Sequence, residues 1–386
     1  MKRPRGCATN CAGWSAVTAS EPLPPEGADV SKPRRGDKQP EFRPGTWLLG
    51  TGPDADIAIC TRARLARNLQ GFHFAPRLDE AEARELYEFV VGRLKQPGLP
   101  EALSILDLAP VDELERTVLV ERHLISRELA ATKRPTGVAV DTDESVAIMI
   151  NEEDHLRVQV FASGLAPEAV WRRAERLDDA LVQRLPMAWS EEFGFLTSCP
   201  TNTGTGLRLS VMLHLPGLVW SEHIDKATNV AQKIHLAVRG LYGEGSRALG
   251  DFYQVSNQVT LGRDENEIQS DVLRAVGSMV QWEREVRTAL LRGAARIRTL
   301  DRVQRALGTL ERAQILTSEE ALGCLSALRF GIQERLLEGF TIAAVNRALL
   351  LSQPGHLQRH TRELLKPEER DQRRAQLLRE VLGCSR

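Results

Sequence analysis

Residues 151–157 read Asn-Glu-Glu-Asp-His-Leu-Arg, which places Glu152, Glu153 and Arg157 within six residues of one another. Carboxylates held at a turn can accept protons, and an arginine offers a rigid, always-charged fork of donors to an anion. Further arginines stand at strand ends and loop edges: Arg62 and Arg64, Arg208 after a Pro-Thr-Asn-Thr-Gly-Thr-Gly loop, and Arg239 beside Gly240. Dispersed guanidinium forks are what a polyphosphate requires, because they meet its oxygens in pairs. Taken singly, each arginine also reads as a surface cation, and 151–157 as a solvated acidic turn with a salt-bridged arginine.

The elements that must position these residues follow from periodicity. An apolar run from Val146 to Ile150 enters the acidic stretch and an alternation from His155 to Val160 leaves it, predicting a hairpin with acids at its turn. If Glu153 continues the extended register it shares a face with His155 and Arg157, about 13 Å from the arginine. Ile57 to Leu65 alternates as a strand with Arg62 and Arg64 on one side. Residues 193–215 predict two strands around the Gly-Thr loop. In the second, Arg208, Ser210, Met212 and His214 share a face, and Leu209, Val211 and Leu213 the other. Helices are expected over 79–95, 168–185 and 222–238, a strand over 252–258, and either a strand or a short helix over 114–119.

Three glycines in the six residues 240–245 surround Glu244, the composition of a loop that closes over a site. From Asp264 onward the pattern is helical, with breaks expected near Gly293, Gly323 and Pro354. The expected fold class is therefore α+β: a mixed domain over 46–287, then an all-helical C-terminal domain over 288–386. Residues 1–43, rich in proline and poor in periodic apolar residues, are expected to form a disordered arm.

Composition excludes several classes. The net charge of -1 favours neither nucleic acid nor membrane, although only eight of the 51 basic residues are lysine. There is no apolar run of the ~20 residues a membrane span needs, and no secretory leader. The six scattered cysteines suit a reducing cytoplasm, and Cys7 and Cys11 have no neighbours to complete a zinc site, so no metal is expected on protein ligands. No phosphate-binding GxxxxGK[ST] motif and no strand-GxGxxG-helix unit occurs.

The segments Thr-Arg-Ala-Arg (61–64), 151–157 and Cys-Pro-Thr-Asn-Thr-Gly-Thr-Gly-Leu-Arg (199–208) closely resemble signatures of the phosphagen (guanidino) kinases. Residues 239–250 and 121–130 are more similar to that family's bacterial branch, the McsB-type protein arginine kinases. The resemblance implies an antiparallel sheet flanked by helices and an ATP site at Cys60, Thr61, Arg62, Ala63, Arg64, His123, Arg157, Arg208, Leu209, Ser210, Val211, Met212, Arg239, Gly240, Leu241, Tyr242, Gly243 and Glu244. Mg2+ would be held mainly by the nucleotide phosphates. The acceptor would be a guanidinium, which has no free lone pair and must lose a proton as it attacks. Glu153 is implied as principal base, with Glu244 as second carboxylate, Glu152 as its neighbour and Cys199 as the active-site cysteine; Cys199 also reads as a buried strand-end thiol.

In the helical region, Arg370, Asp371 and Arg374 match a motif associated in that branch with sensing phosphoarginine; by themselves they read as an exposed charged helix. The animal enzymes carry a helical domain ahead of the first arginine strand. Only 61 residues precede Arg62 here, most of them in the expected arm, so an uncovered acceptor site that admits arginine on another protein is expected. The implied function is an ATP-dependent kinase of protein arginine, marking proteins for regulated proteolysis. The implied partners are a second copy of the chain, a zinc-binding activator, a CtsR-type repressor and a ClpC-type chaperone–protease. A free-guanidino phosphagen kinase and a catalytically silent phosphoarginine-binding adaptor are the alternatives.

Overall fold

Residues 45–240 and 248–384 are described by the computed structural model. The expected arm over 1–43 and the centre of the expected closing loop, with Leu241, Tyr242, Gly243 and Glu244, lie outside the described residues. The chain runs β1 (Ala58–Arg67), α1 (Glu80–Leu94), β2 (Leu103–Asp107), α2 (Glu113–Glu121), α3 (Arg127–Ala131), β3 (Gly137–Asp141), β4 (Val146–Ile150) and β5 (Leu156–Ser163). Next come α4 (Pro167–Val182), the short pair β6 (Trp189–Ser190) and β7 (Gly194–Phe195), β8 (Leu207–His214), α5 (Pro216–Trp220), α6 (Ile224–Lys233), β9 (Leu236–Gly240) and β10 (Phe252–Asn257). The helices α7 (Glu265–Leu290), α8 (Gly293–Arg312), α9 (Ser318–Gln333), α10 (Ile342–Leu351), α11 (Pro354–Thr361) and α12 (Pro367–Leu382) follow.

Eight strands pair antiparallel in the order β2-β3-β4-β5-β1-β8-β10-β9. Alternation divides the sheet into two faces. One face carries Ala63, Leu65, Val158, Leu209, Val211 and Val255, fully or almost fully buried beneath α1, α4 and α7. Each such large apolar side chain contributes roughly 1.5–3 kcal/mol on burial. The opposite face is split. Phe161, Met212 and Phe252 pack against Leu322, Leu325, Val345 and Leu378 of the C-terminal helices, while the rest of that face carries arginines. The helical segment thus shares a core with the sheet.

Several elements depart from the periodic reading. The expected helix over 222–238 stops at Lys233 because His235 takes a left-handed φ of 60°, and the chain then extends into β9. The stretch 114–119, by contrast, takes the helix of its two expected alternatives, begun by Asp112, whose side chain accepts from Glu115 N. The first strand expected within 193–215 shrinks to β7. No break occurs at Gly323: α9 runs through it, because burial of Leu322, Leu325 and Leu328 outweighs the ~1 kcal/mol cost of one helical glycine. The break falls instead at 313–317, where Thr317 caps α9.

Candidate active site

The arginines converge through sheet register. Arg64 on β1 lies directly opposite Arg208 on β8 and Gln159 on β5, and Arg62 lies opposite Ser210 and Phe161. Arg157 enters from β5, opposite Ala66. On the far strands Arg239 faces Gln254, the amide that accepts from Arg62 Nη2 at 3.1 Å. Like charges paired across strands destabilise a sheet by a few tenths to about 1 kcal/mol. Burial, together with the charges of Arg157 and Arg208, lowers the proton affinity of Arg62 to about 10 and moves that of Arg64 well down. At about 10, Arg62 stays charged at neutral pH. Buried Nε atoms of Arg64 and Arg208 find no hydrogen-bond partner among the described residues, so a triphosphate fits the donor set.

Facing these cations is the turn between β4 and β5. Asn151 takes φ 62°, which asparagine tolerates, and its amide donates at 2.8 Å to both Ala83 O and Pro135 O. That left-handed residue ends the extended register, so the expected ~13 Å gap does not arise. Arg157 instead forks between both carboxylates, Nη1 to Glu152 Oε1 at 2.7 Å and Nη2 to Glu153 Oε2 at 2.6 Å. Glu152, at 1% side-chain exposure, also accepts from Glu153 N and braces the turn. Glu153 is 43% exposed and points outward. Burial pushes its carboxyl above the ordinary carboxylate value against the pull of Arg157, which suits a proton acceptor. His155 does not share that face: its ring is buried, accepting from Leu69 N at 3.0 Å and lying 2.9 Å from His73 O.

Glu153, Arg64, Arg157 and Arg208 line a cavity of about 190 Å3 with Cys199 and Asn202. Cys199 is partly buried, its Sγ 3.0 Å from Thr201 Oγ1. Arg64 and Arg157 also line a second cavity of about 500 Å3, which reaches Arg62, His123 and the C-terminal helices. The two cavities share Arg64 and Arg157, with a carboxylate and a thiol lining the smaller one.

The description "ATP:guanido phosphotransferase, C-terminal catalytic domain" belongs to a family model that matches residues 85–286. A second, for the C-terminal domain of the protein-arginine kinase McsB, matches residues 296–386. A protein-arginine kinase of Symbiobacterium thermophilum is 42% identical over 341 residues, 88% of this chain and 96% of its own length. One of Moorella thermoacetica is 43% identical over 344 residues, 88% of this chain and 98% of its own. The chain belongs to the ATP:guanido phosphotransferase family. Among solved structures, a lombricine kinase aligns with TM-score 0.54 and 24% identity, covering 66% of this chain and 74% of that one. A duplicated taurocyamine kinase of Schistosoma mansoni aligns with TM-score 0.55 and 24% identity, covering 71% and 41%. These two share the fold.

In a guanidino-group phosphotransferase the loop 199–206 must be held against the acidic turn, and residues outside the motifs do this. Asn68 Nδ2 donates to Asp154 Oδ1 at 2.7 Å and its Oδ1 accepts from His155 N at 2.9 Å; Asp154 Oδ1 also accepts from Ser198 N at 2.7 Å. Arg67, 2% exposed, forks onto Asp178 at 2.9 and 2.7 Å, donates to Thr205 O and stacks on Phe195. Gly206 has φ 65°, and a Cβ there would strike the Arg67 guanidinium. Thr260 Oγ1 donates to Thr201 O and Thr203 O. The signal available in the sequence was modest: Arg67 and Asn68 directly follow the arginine strand.

Other expected nucleotide contacts are placed differently. Thr61, Ala63, Leu209 and Val211 turn their side chains to the opposite face; the Thr61 hydroxyl donates to Gly164 O, and the other three lie in the core. Cys60 and Met212 are buried against the C-terminal helices, burial raising the Cys60 thiol to about 12. None of these six lines either of the two cavities. Gly240 closes β9 beside the undescribed loop. His123, with φ 61°, sits edge-on to Trp47 at 4.7 Å, and burial lowers it to about 3, so it meets the larger cavity as neutral imidazole.

The exposed charged helix expected at 370–375 is corrected at Arg374. Its side chain is 1% exposed and donates to Ser352 O at 2.8 Å, Leu316 O at 2.7 Å and Asp371 Oδ1 at 2.5 Å. Arg370 and Arg374 therefore do not form one open cationic face. Among the described residues no helix is long and apolar enough to cross a membrane, and no group of three His, Cys, Asp or Glu could hold a metal ion.

Proposed function

We propose that this chain transfers the terminal phosphoryl group of ATP to arginine side chains of polypeptides, and that the modification marks them for regulated proteolysis. The observation that carries the reading is a pair of cavities that share Arg64 and Arg157, one of about 500 Å3 and a smaller one lined by Glu153 and Cys199. The triphosphate would lie along Arg62, Arg64, Arg157, Arg208 and Arg239, with Mg2+ entering on its phosphate oxygens. A guanidinium nitrogen attacks the terminal phosphorus. An N–P bond forms, the bond to the bridging oxygen breaks with its electrons leaving on ADP, and the guanidinium proton passes to Glu153. Glu244 is proposed as second carboxylate and Cys199 as a group that orients the acceptor.

The relatives named protein-arginine kinases, at 40% identity and above, support a polypeptide acceptor. With this reading go a cytoplasmic location, a homodimer, a zinc-binding activator, a CtsR-type repressor and a ClpC-type chaperone–protease. Offered together at equal arginine concentration, an unstructured polypeptide should be phosphorylated and free arginine should not. Efficient turnover of free arginine with none of the polypeptide would move the protein to the phosphagen kinases of small guanidino compounds.

Phosphoarginine sensing at Arg370, Asp371 and Arg374 belongs to the same proposal, with binding drawing Arg374 away from Ser352 and Leu316. Titrating phosphoarginine into the Glu153→Gln protein should give binding heat, and the further change Asp371→Ala should abolish it. No heat in the parent would leave α12 with a structural role alone.

A further inference from the structure

The C-terminal helices also border the larger cavity. Ser318 and Leu322 of α9, with Gln353 and Pro354 at the start of α11, line it opposite Arg62, Arg64 and His123. Helix α2 supplies the adjoining side through Thr117, Val120 and Glu121.

These two sides are joined by one carboxylate. Glu121, the last residue of α2, accepts from Gly355 N through Oε1 at 2.7 Å and from His356 N through Oε2 at 2.8 Å. Oε2 also lies 2.6 Å from His356 Nδ1. Glu121 is 10% exposed in its side chain and His356 3%. A carboxylate at the first turn of a helix meets free N–H groups and the positive end of the helix dipole, so the contact is charge-assisted. The close approach needs glycine: a Cβ on Gly355 would stand 2.9 Å from Glu121 Oε2 and 3.0 Å from Thr117 Cγ2. Gln353 and Pro354 immediately precede the clamped residues, and His123 follows Glu121 by two. Ser352 O is held from below by Arg374.

We propose that Glu121 is a positioning residue for the nucleotide: it clamps α11 to the end of α2 and so fixes the wall that Gln353 and Pro354 present to the cavity. This rests on reading the cavity as the ATP site. Its consequence is that ATP affinity depends on how the C-terminal helices are seated, although the phosphate-binding arginines lie on the sheet.

The test is calorimetric titration of ATP with Mg2+ into the full chain, with steady-state kinetics on an unfolded polypeptide. Glu121→Gln keeps the side-chain shape but replaces one acceptor by a donor and removes the charge, and Gly355→Ala presses on the same carboxylate. Both should raise the ATP Kd and the ATP KM by roughly tenfold. The KM for the polypeptide and kcat at saturating ATP should stay within about twofold, with a cooperative melting transition retained. Glu115→Gln removes the exposed pair with Arg359, 3.2 Å away between the same two helices, and should leave the ATP Kd unchanged. An unchanged ATP Kd in both clamp variants overturns the proposal. Equal loss in kcat and both KM values with a lowered melting temperature overturns it too, leaving Glu121 a general structural role. A wild-type chain that binds no ATP removes the nucleotide reading of the cavity itself, and is told apart because the first titration fails.

Discussion

Glu153→Gln should lower turnover by about a hundredfold or more while ATP binding persists. Glutamine keeps the outline of the side chain and can still accept from Arg157, so the turn built by Asn151 and Glu152 stays in place. What it cannot do is take the proton that an attacking guanidinium has to release. The pH profile carries a second sign of the same group. A base works only when ionised, and burial raises the Glu153 carboxyl, so the acidic limb of kcat/KM should fall above the ordinary carboxylate value. Activity is present above that limb and lost as pH falls through it. Stopped-time assays from pH 5 upward, with ATP affinity measured alongside, check both; full turnover in Glu153→Gln would exclude Glu153 as the base.

Arg64→Lys should cost about a hundredfold in kcat/KM, with both ATP affinity and kcat reduced. Arg64 borders both cavities and sits directly across from Arg208, so in the proposed mechanism it lies where transferred charge passes from nucleotide to acceptor. Lysine retains the charge but loses the planar fork, and one ammonium cannot meet two oxygens in fixed geometry. Because lysine keeps a cation across from Arg208, the stability of the variant should stay close to that of the parent. A thermal melt beside the kinetics separates the two effects. Unchanged kinetics would make Arg64 a bystander in the sheet.

Much of the site was legible because alternation decides which side chains of a strand face together. The pairs Arg62/Arg64 and Arg208/Ser210 follow from period two alone, and register then brings them into neighbouring rows. The geometry of the acidic turn was not legible. Extrapolating a strand through Asn151 separated Glu153 from Arg157, whereas one positive φ folds them into an ion pair. Supports made by distant residues were equally hidden: Arg67 meets Asp178 across 111 positions and Asn68 meets Asp154 across 86. Strand β9 was lost because a helix pattern ran into it without a proline or glycine, and the turn at His235 has no strong local signature. Arg374 could have been found. Leu378 and Leu382 stand four and eight residues beyond it, which places it in the apolar stripe of α12. Charge count alone made that helix look exposed.

The central claim is phosphoryl transfer to arginine within polypeptides. Its most direct test is incubation of the full chain with ATP, Mg2+ and an unfolded arginine-containing protein, followed by mass spectrometry under conditions that preserve acid-labile phosphoarginine. Phosphoarginine on the polypeptide, with about a hundredfold less from Glu153→Gln at equal enzyme concentration, is the expected result. ATP bound by the wild-type chain, with no phosphoarginine formed or with equal amounts from both proteins, would contradict it.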